Sequence, residues 1–158
     1  MILMDELFSV PNADDLTRLI SRLGAAALLG GMIGLEREWV GKAAGLRTHM
    51  TVALGCAAFM LVTLESDPTG GSLSRAIQGI AAGIGFIGAG TILKRSKEED
   101  IQGLTTAASI WLTAAVGAAA GAGQGWLGLI TVLMAFLILS ILTAVDKWLA
   151  KLRGRPAE

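Results

Sequence analysis

Read from the N terminus, the chain alternates between short charged clusters and long runs almost empty of Asp, Glu, Lys and Arg. Five such runs stand out, at residues 16–35, 48–64, 76–93, 105–122 and 126–145, and the last four hold none of those residue types. Each meets the roughly 17–25 apolar residues that a helix needs to cross a hydrocarbon core. None shows the strict apolar–polar alternation of a barrel strand, and a lipid-exposed backbone must satisfy its own polar groups, so helix is the element predicted throughout. The first run carries Arg18 and Arg22, both within its first two turns, where long basic side chains reach back to the headgroups. The pattern therefore predicts an all-α, polytopic membrane protein of about five spans, one domain over residues 1–158, with no soluble domain.

Composition sharpens this picture. Charged residues make up 16% of the chain, against about 25% in a soluble domain. Soluble bundle helices keep a polar face, and these runs have none. The basic residues are unevenly shared. Ten lie in the 36–47 loop, the 94–97 loop and the C-terminal tail, and three (Arg18, Arg22 and Arg75) lie on the other side. The positive-inside rule then puts the N terminus outside and the C terminus in the cytoplasm. Trp126 falls at the outer end of the last run, with Trp39 and Trp148 near inner ends, as interfacial aromatics should. Net charge is zero, so nucleic acid is not an expected partner. The lone Cys56 is read as a small buried apolar residue, and the lone His49 lacks the companions of a metal ligand.

Inside the spans, glycine is the strongest signal. Gly30 and Gly34, Gly79 and Gly83, and Gly117 and Gly121 are spaced as small-xxx-small pairs, which let helix backbones approach closely in lipid. The third run is glycine-rich on more than one face, with Gly79, Gly83, Gly85, Gly88 and Gly90. In the fourth, Thr105, Ser109, Thr113, Gly117 and Gly121 form one small, weakly polar stripe, while the fifth is bulky nearly all round and suits an outer position. The glycines serve packing within one chain, a homo-oligomer interface or a narrow solute path. The chain also repeats: shifted by 58 residues, Gly30, Leu35, Arg37, Gly45, Leu46 and Thr48 fall on Gly88, Leu93, Arg95, Gly103, Leu104 and Thr106. Two spans separate the copies, so helices one and two would be related to three and four by a pseudo-twofold along the membrane normal. The fifth helix falls outside the repeat.

The charged turn Gly34-Leu-Glu-Arg-Glu-Trp39, continuing to Ala44-Gly-Leu-Arg-Thr-His-Met50, is the most informative stretch. Glu36 and Glu38 are expected near Arg47 across the turn, with Thr48 capping the second helix and Thr105 or Thr106 the fourth. Either an ion-paired hairpin that fixes a helix angle or a docking or cation-binding site would use these residues. Together with Gly-Ile-Gly-Phe-Ile-Gly-Ala-Gly at 83–90 and Gly-Leu-Thr-Thr-Ala-Ala-Ser-Ile-Trp at 103–111, this stretch resembles the MgtC/SapB family of bacterial inner-membrane proteins. The resemblance covers nearly all of residues 16–145.

That resemblance implies a link to magnesium homeostasis, growth in low magnesium and survival inside host cells. It also implies modulation of other membrane machines, the F-type ATP synthase among them. It carries over Glu36, Arg37, Glu38, Arg47 and Thr48, then Gln78 with the third-run glycines, then Thr105 and Thr106. Many members continue into a cytoplasmic domain similar to ACT domains, and this chain ends at Glu158 before any such domain. Enzyme chemistry is not expected, because no catalytic triad, carboxylate pair or phosphate loop is present. No cofactor is expected, Mg²⁺ being the one candidate left open. Mg²⁺ wants about six oxygen ligands including a carboxylate, and the last four spans offer no acid. The expected function is a membrane regulator acting through contacts with itself or a partner. The alternative is a Mg²⁺ transporter or channel.

Overall fold

The computed structural model describes residues 12–67, 71–94 and 101–152. Five helices carry the fold: α1 (Ala13–Trp39), α2 (Leu46–Ser66), α3 (Leu73–Ala89), α4 (Leu104–Gly121) and α5 (Gly125–Leu152). A two-residue antiparallel ladder, β1 (Leu93–Lys94) with β2 (Ile101–Gln102), ties the end of α3 to the start of α4. The protein is thus all-α. By length and apolarity, α1, α2 and α4 are each able to cross a membrane, while α3 and the Gly125–Ile141 part of α5 are shorter apolar helices.

Helix ends differ from the apolar runs for local reasons. At its start, Asn12 Oδ1 accepts from the Asp15 amide at 2.8 Å, and Asp14 and Asp15 sit in the first turn of α1. Acidic side chains there oppose the positive helix end. With 27 residues, α1 is about 40 Å long and overshoots a ~30 Å core. The third helix stops at Ala89, not at residue 93. Its last turn tightens as the Thr91 and Ile92 amides donate to Gly88 and Ala89, and Thr91 Oγ1 donates to the Gly88 carbonyl at 2.7 Å. Leu93 then leaves for the ladder opposite Gln102. Gly103, which opens α4, has φ +95°, and a Cβ there would lie 2.9 Å from the Thr91 carbonyl carbon. Only glycine fits that corner.

The predicted threonine caps do not form. Gly45 and Gly103 are the N-cap residues, and neither helix start has a cap from its own N-cap side chain. Because α2 begins at Leu46 and α4 at Leu104, Thr48, Thr105 and Thr106 lie inside the first turns, past the cap position. Glu38 reaches across the turn instead, and its Oε2 accepts from the Leu46 amide at 2.8 Å.

Helix α4 lies at the centre and touches the other four. Helix α1 packs closely on α2, α5 covers α4 and α1 from outside, and α3 rests mainly on α4 with only light contact to α2. Two predicted glycine pairs are used inside: a Cβ on Gly117 would lie 2.6 Å from Ala53 Cα, one on Gly121 2.7 Å from Ala57 Cα, and one on Gly30 2.6 Å from Ala53 Cβ. Ala26, Ala53, Ala57 and Ala120 form the resulting small-residue core. The third pair is not. A Cβ at Gly79 or Gly83 would meet nothing within 4 Å. Cys56 is free and buried, as read from its setting. Arg22 is used differently from the snorkelling expected: its guanidinium donates to the Gly121 carbonyl at 3.1 Å and so closes the C-terminal end of α4.

The repeat has a structural echo. Gly30 faces the His49 carbonyl, and Gly88, 58 residues on, faces the Ala107 carbonyl, again 58 residues on. The two halves are not equally closed, since α1 seals against α4 while α3 stands off from α2.

A buried polar junction as the candidate functional site

The end of the bundle formed by the α1–α2 turn and the start of α4 gathers most of the predicted polar residues. Arg37 is 1% exposed, and its Nε and Nη2 both donate to the Glu36 carboxylate of the same helix. A guanidinium out of water needs such a partner, because a lone buried charge carries a desolvation penalty of several kcal/mol. Glu38 is exposed and holds the α2 start. The expected approach of Arg47 to these glutamates does not occur: among the described residues Arg47 makes no ion pair, and it lies exposed with Thr48. Thr105 is also exposed, whereas Thr106 is buried.

His49 is the residue that the sequence reading passed over. It is fully buried between α1, α2 and α4, and Gly34 makes room for it: a Cβ on Gly34 would lie 2.9 Å from His49 Cβ. The ring Nδ1 is 2.9 Å from the Gly45 carbonyl oxygen, which only accepts, so Nδ1–H is the donor. Nε2 stands 3.2 Å from Ser109 Oγ, and Ser109 Oγ also donates to the Thr106 carbonyl at 2.8 Å. The single Ser109 hydroxyl proton goes to the Thr106 carbonyl, and His49 Nε2 meets the same oxygen, so one hydroxyl links α2 to the α4 backbone. Thr113 Oγ1 donates in turn to the Ser109 carbonyl at 2.8 Å. The stripe of small polar residues on α4 was visible in the sequence. Its partner was not, because 60 residues separate His49 from Ser109.

The remaining predicted residues stand apart from this junction. Gln78 is exposed on α3, the positions of Gly79, Gly83 and Gly85 open onto empty space, Gly88 rests on Ala107, and Gly90 ends the helix. Among the described residues, no group of three His, Cys, Asp or Glu side chains is placed to hold a metal ion. The junction therefore locks three helix ends together, through the Glu38–Leu46 and His49–Ser109 bonds.

Comparison with known proteins agrees with the motifs. The model of the MgtC family matches residues 23–148. Protein SrpB of Synechococcus elongatus is 46% identical over 130 residues, covering 75% of this chain and 71% of that protein. The putative magnesium transporter YhiD of Escherichia coli is 45% identical over 129 residues, 77% of this chain and 59% of that protein. Protein MgtC of Salmonella typhimurium is 44% identical over 105 residues, 66% of this chain and 44% of that protein. The chain thus covers 44% to 71% of the length of these relatives, and no solved structure matches it. Its helices and its matched length together make this a membrane protein that belongs to the MgtC family.

Proposed function

We propose that this chain is a multi-pass protein of the bacterial inner membrane, with its N terminus outside, and that it serves magnesium homeostasis as a regulator. It acts without enzyme chemistry, through helix–helix contacts with a second copy or with another membrane protein, the F-type ATP synthase being one such partner by family resemblance. The observation that carries this reading is the use α3 makes of its small residues. The small residues Ala82, Gly85 and Ala89 share one face at helical spacing, with Gln78 one turn before them, and all four are exposed. Only Ile84 and Gly88 of the helix are buried. In lipid, a face of small side chains is what allows another helix to approach closely.

Transport is the second reading, favoured by the name of one relative, a putative magnesium transporter. It needs acids free to gather cations. Glu36 is bonded to Arg37 and Glu38 to the Leu46 amide, so both are already engaged. Purified protein in sealed proteoliposomes is expected to give Mg²⁺ uptake equal to that of empty vesicles, while Gly85→Leu lowers self-association or partner capture without impeding insertion. Saturable uptake above the empty control would replace the regulator with the transporter.

A further inference from the structure

We infer that the chain holds an anionic phospholipid, its acyl chain lying between α2 and α3 and its headgroup at Lys42 and Arg47. This goes beyond either functional reading and rests only on the chain lying in a bilayer. An open groove of about 670 Å³ runs between the two helices, walled by Thr51, Gly55, Phe59 and Val62 on one side and by Gly79 and Gly83 on the other. Its lining is almost wholly apolar. At the α1–α2 turn lies a second, polar hollow of about 490 Å³, lined by Lys42, Arg47, Thr48 and Glu38.

One face of α2 joins the two. Thr48, Thr51, Gly55, Phe59 and Val62 follow one another at helical spacing, so the hollow lined by Thr48 lies one turn of α2 from the groove, whose lining begins at Thr51. Lys42 and Arg47 are exposed and make no ion pair among the described residues. Among the described residues Glu38 is the one acid lining the hollow, and its carboxylate accepts from the Leu46 amide and pairs with neither cation, so the hollow holds two basic residues to one acid. That charge suits a headgroup phosphate.

The groove's length and the basic residues beyond its inner end point to a lipid as occupant. From Thr51 to Thr63 the groove is about 18 Å long, close to the ~15 Å depth of one leaflet. One acyl chain of a single leaflet matches that length.

The test is native mass spectrometry of the purified full chain with phosphatidylglycerol or phosphatidylcholine of identical acyl chains. One phosphatidylglycerol is expected to be retained in preference to phosphatidylcholine. Lys42→Gln with Arg47→Gln should weaken that retention about 10- to 30-fold, from what each basic residue contributes at an anionic surface. Lys42→Arg with Arg47→Lys should keep it. Gly83→Leu or Gly55→Leu, at positions where a Cβ meets nothing within 4 Å, should abolish retention of either lipid with the thermal unfolding midpoint unchanged. Equal retention of the two lipids would overturn the proposal, as would undiminished retention in the groove variants. Displacement by millimolar inorganic phosphate would show a free-anion site instead. A lipid-free dimer lost in Gly83→Leu would show that a second copy fills the groove.

Discussion

Arg37 shows how much one buried charge can demand of its surroundings. Its side chain is 2% exposed and that of Glu36 13%, so the pair is largely out of water. Glu36→Gln removes the compensating charge and is expected to cost about 3 kcal/mol, at the lower end for a broken buried pair because Glu36 keeps some solvent. Replacing both with E36L/R37M should be close to neutral, which denaturant unfolding in detergent would show by comparing the two. Glu38→Ala should cost about 1 kcal/mol through the lost cap at Leu46, and Thr48→Ala almost nothing. The opposite ranking in unfolding midpoints would reinstate the threonine as the cap. The charged residues of this turn were legible in the sequence, because acid and base cluster between two apolar runs. Their pairing was not: it hinges on helix starts two residues earlier than the apolar runs suggest, and that shift moves Thr48 inside the helix.

Among the elements, α3 and α4 put the same residue type to opposite uses. On α4, Gly117 and Gly121 sit against the Ala53 and Ala57 backbones, leaving no room for a side chain. Gly117→Leu must separate α2 from α4 and should lower stability by about 3 kcal/mol or more. On α3, Gly79 faces open space, and Gly79→Ala should instead gain up to about 1 kcal/mol of helix stability. Thermal melts of the two variants in the same detergent would check both signs. Spacing alone marked the two pairs identically, since small-xxx-small describes a face and says nothing about what lies opposite. The five helices were read correctly from the apolar runs, and the early end of α3 was missed because Gly90 and Thr91 look apolar while their backbone turns toward the ladder.

For the whole molecule, the unequal sharing of basic residues predicts the orientation. With Cys56→Ala as background, a cysteine placed at Ser66 should react with a membrane-impermeant maleimide in intact cells. One placed at Lys42 should react only after the membrane is opened; the reverse result would invert the topology. The central place of α4 has a further consequence, for synthesis. Helices α1 and α2 pack closely on each other and are able to pair as soon as both have entered the bilayer. The face of α2 that receives Gly117 and Gly121 must wait for α4, whose last residue follows that of α2 by about 55 positions, or roughly 3–11 s of translation. Helix α3 arrives in that interval with little to hold it. The half-made protein thus passes through a stage in which its best contact surface is bare to lipid and to any neighbouring helix, and a slowed ribosome would lengthen that exposure.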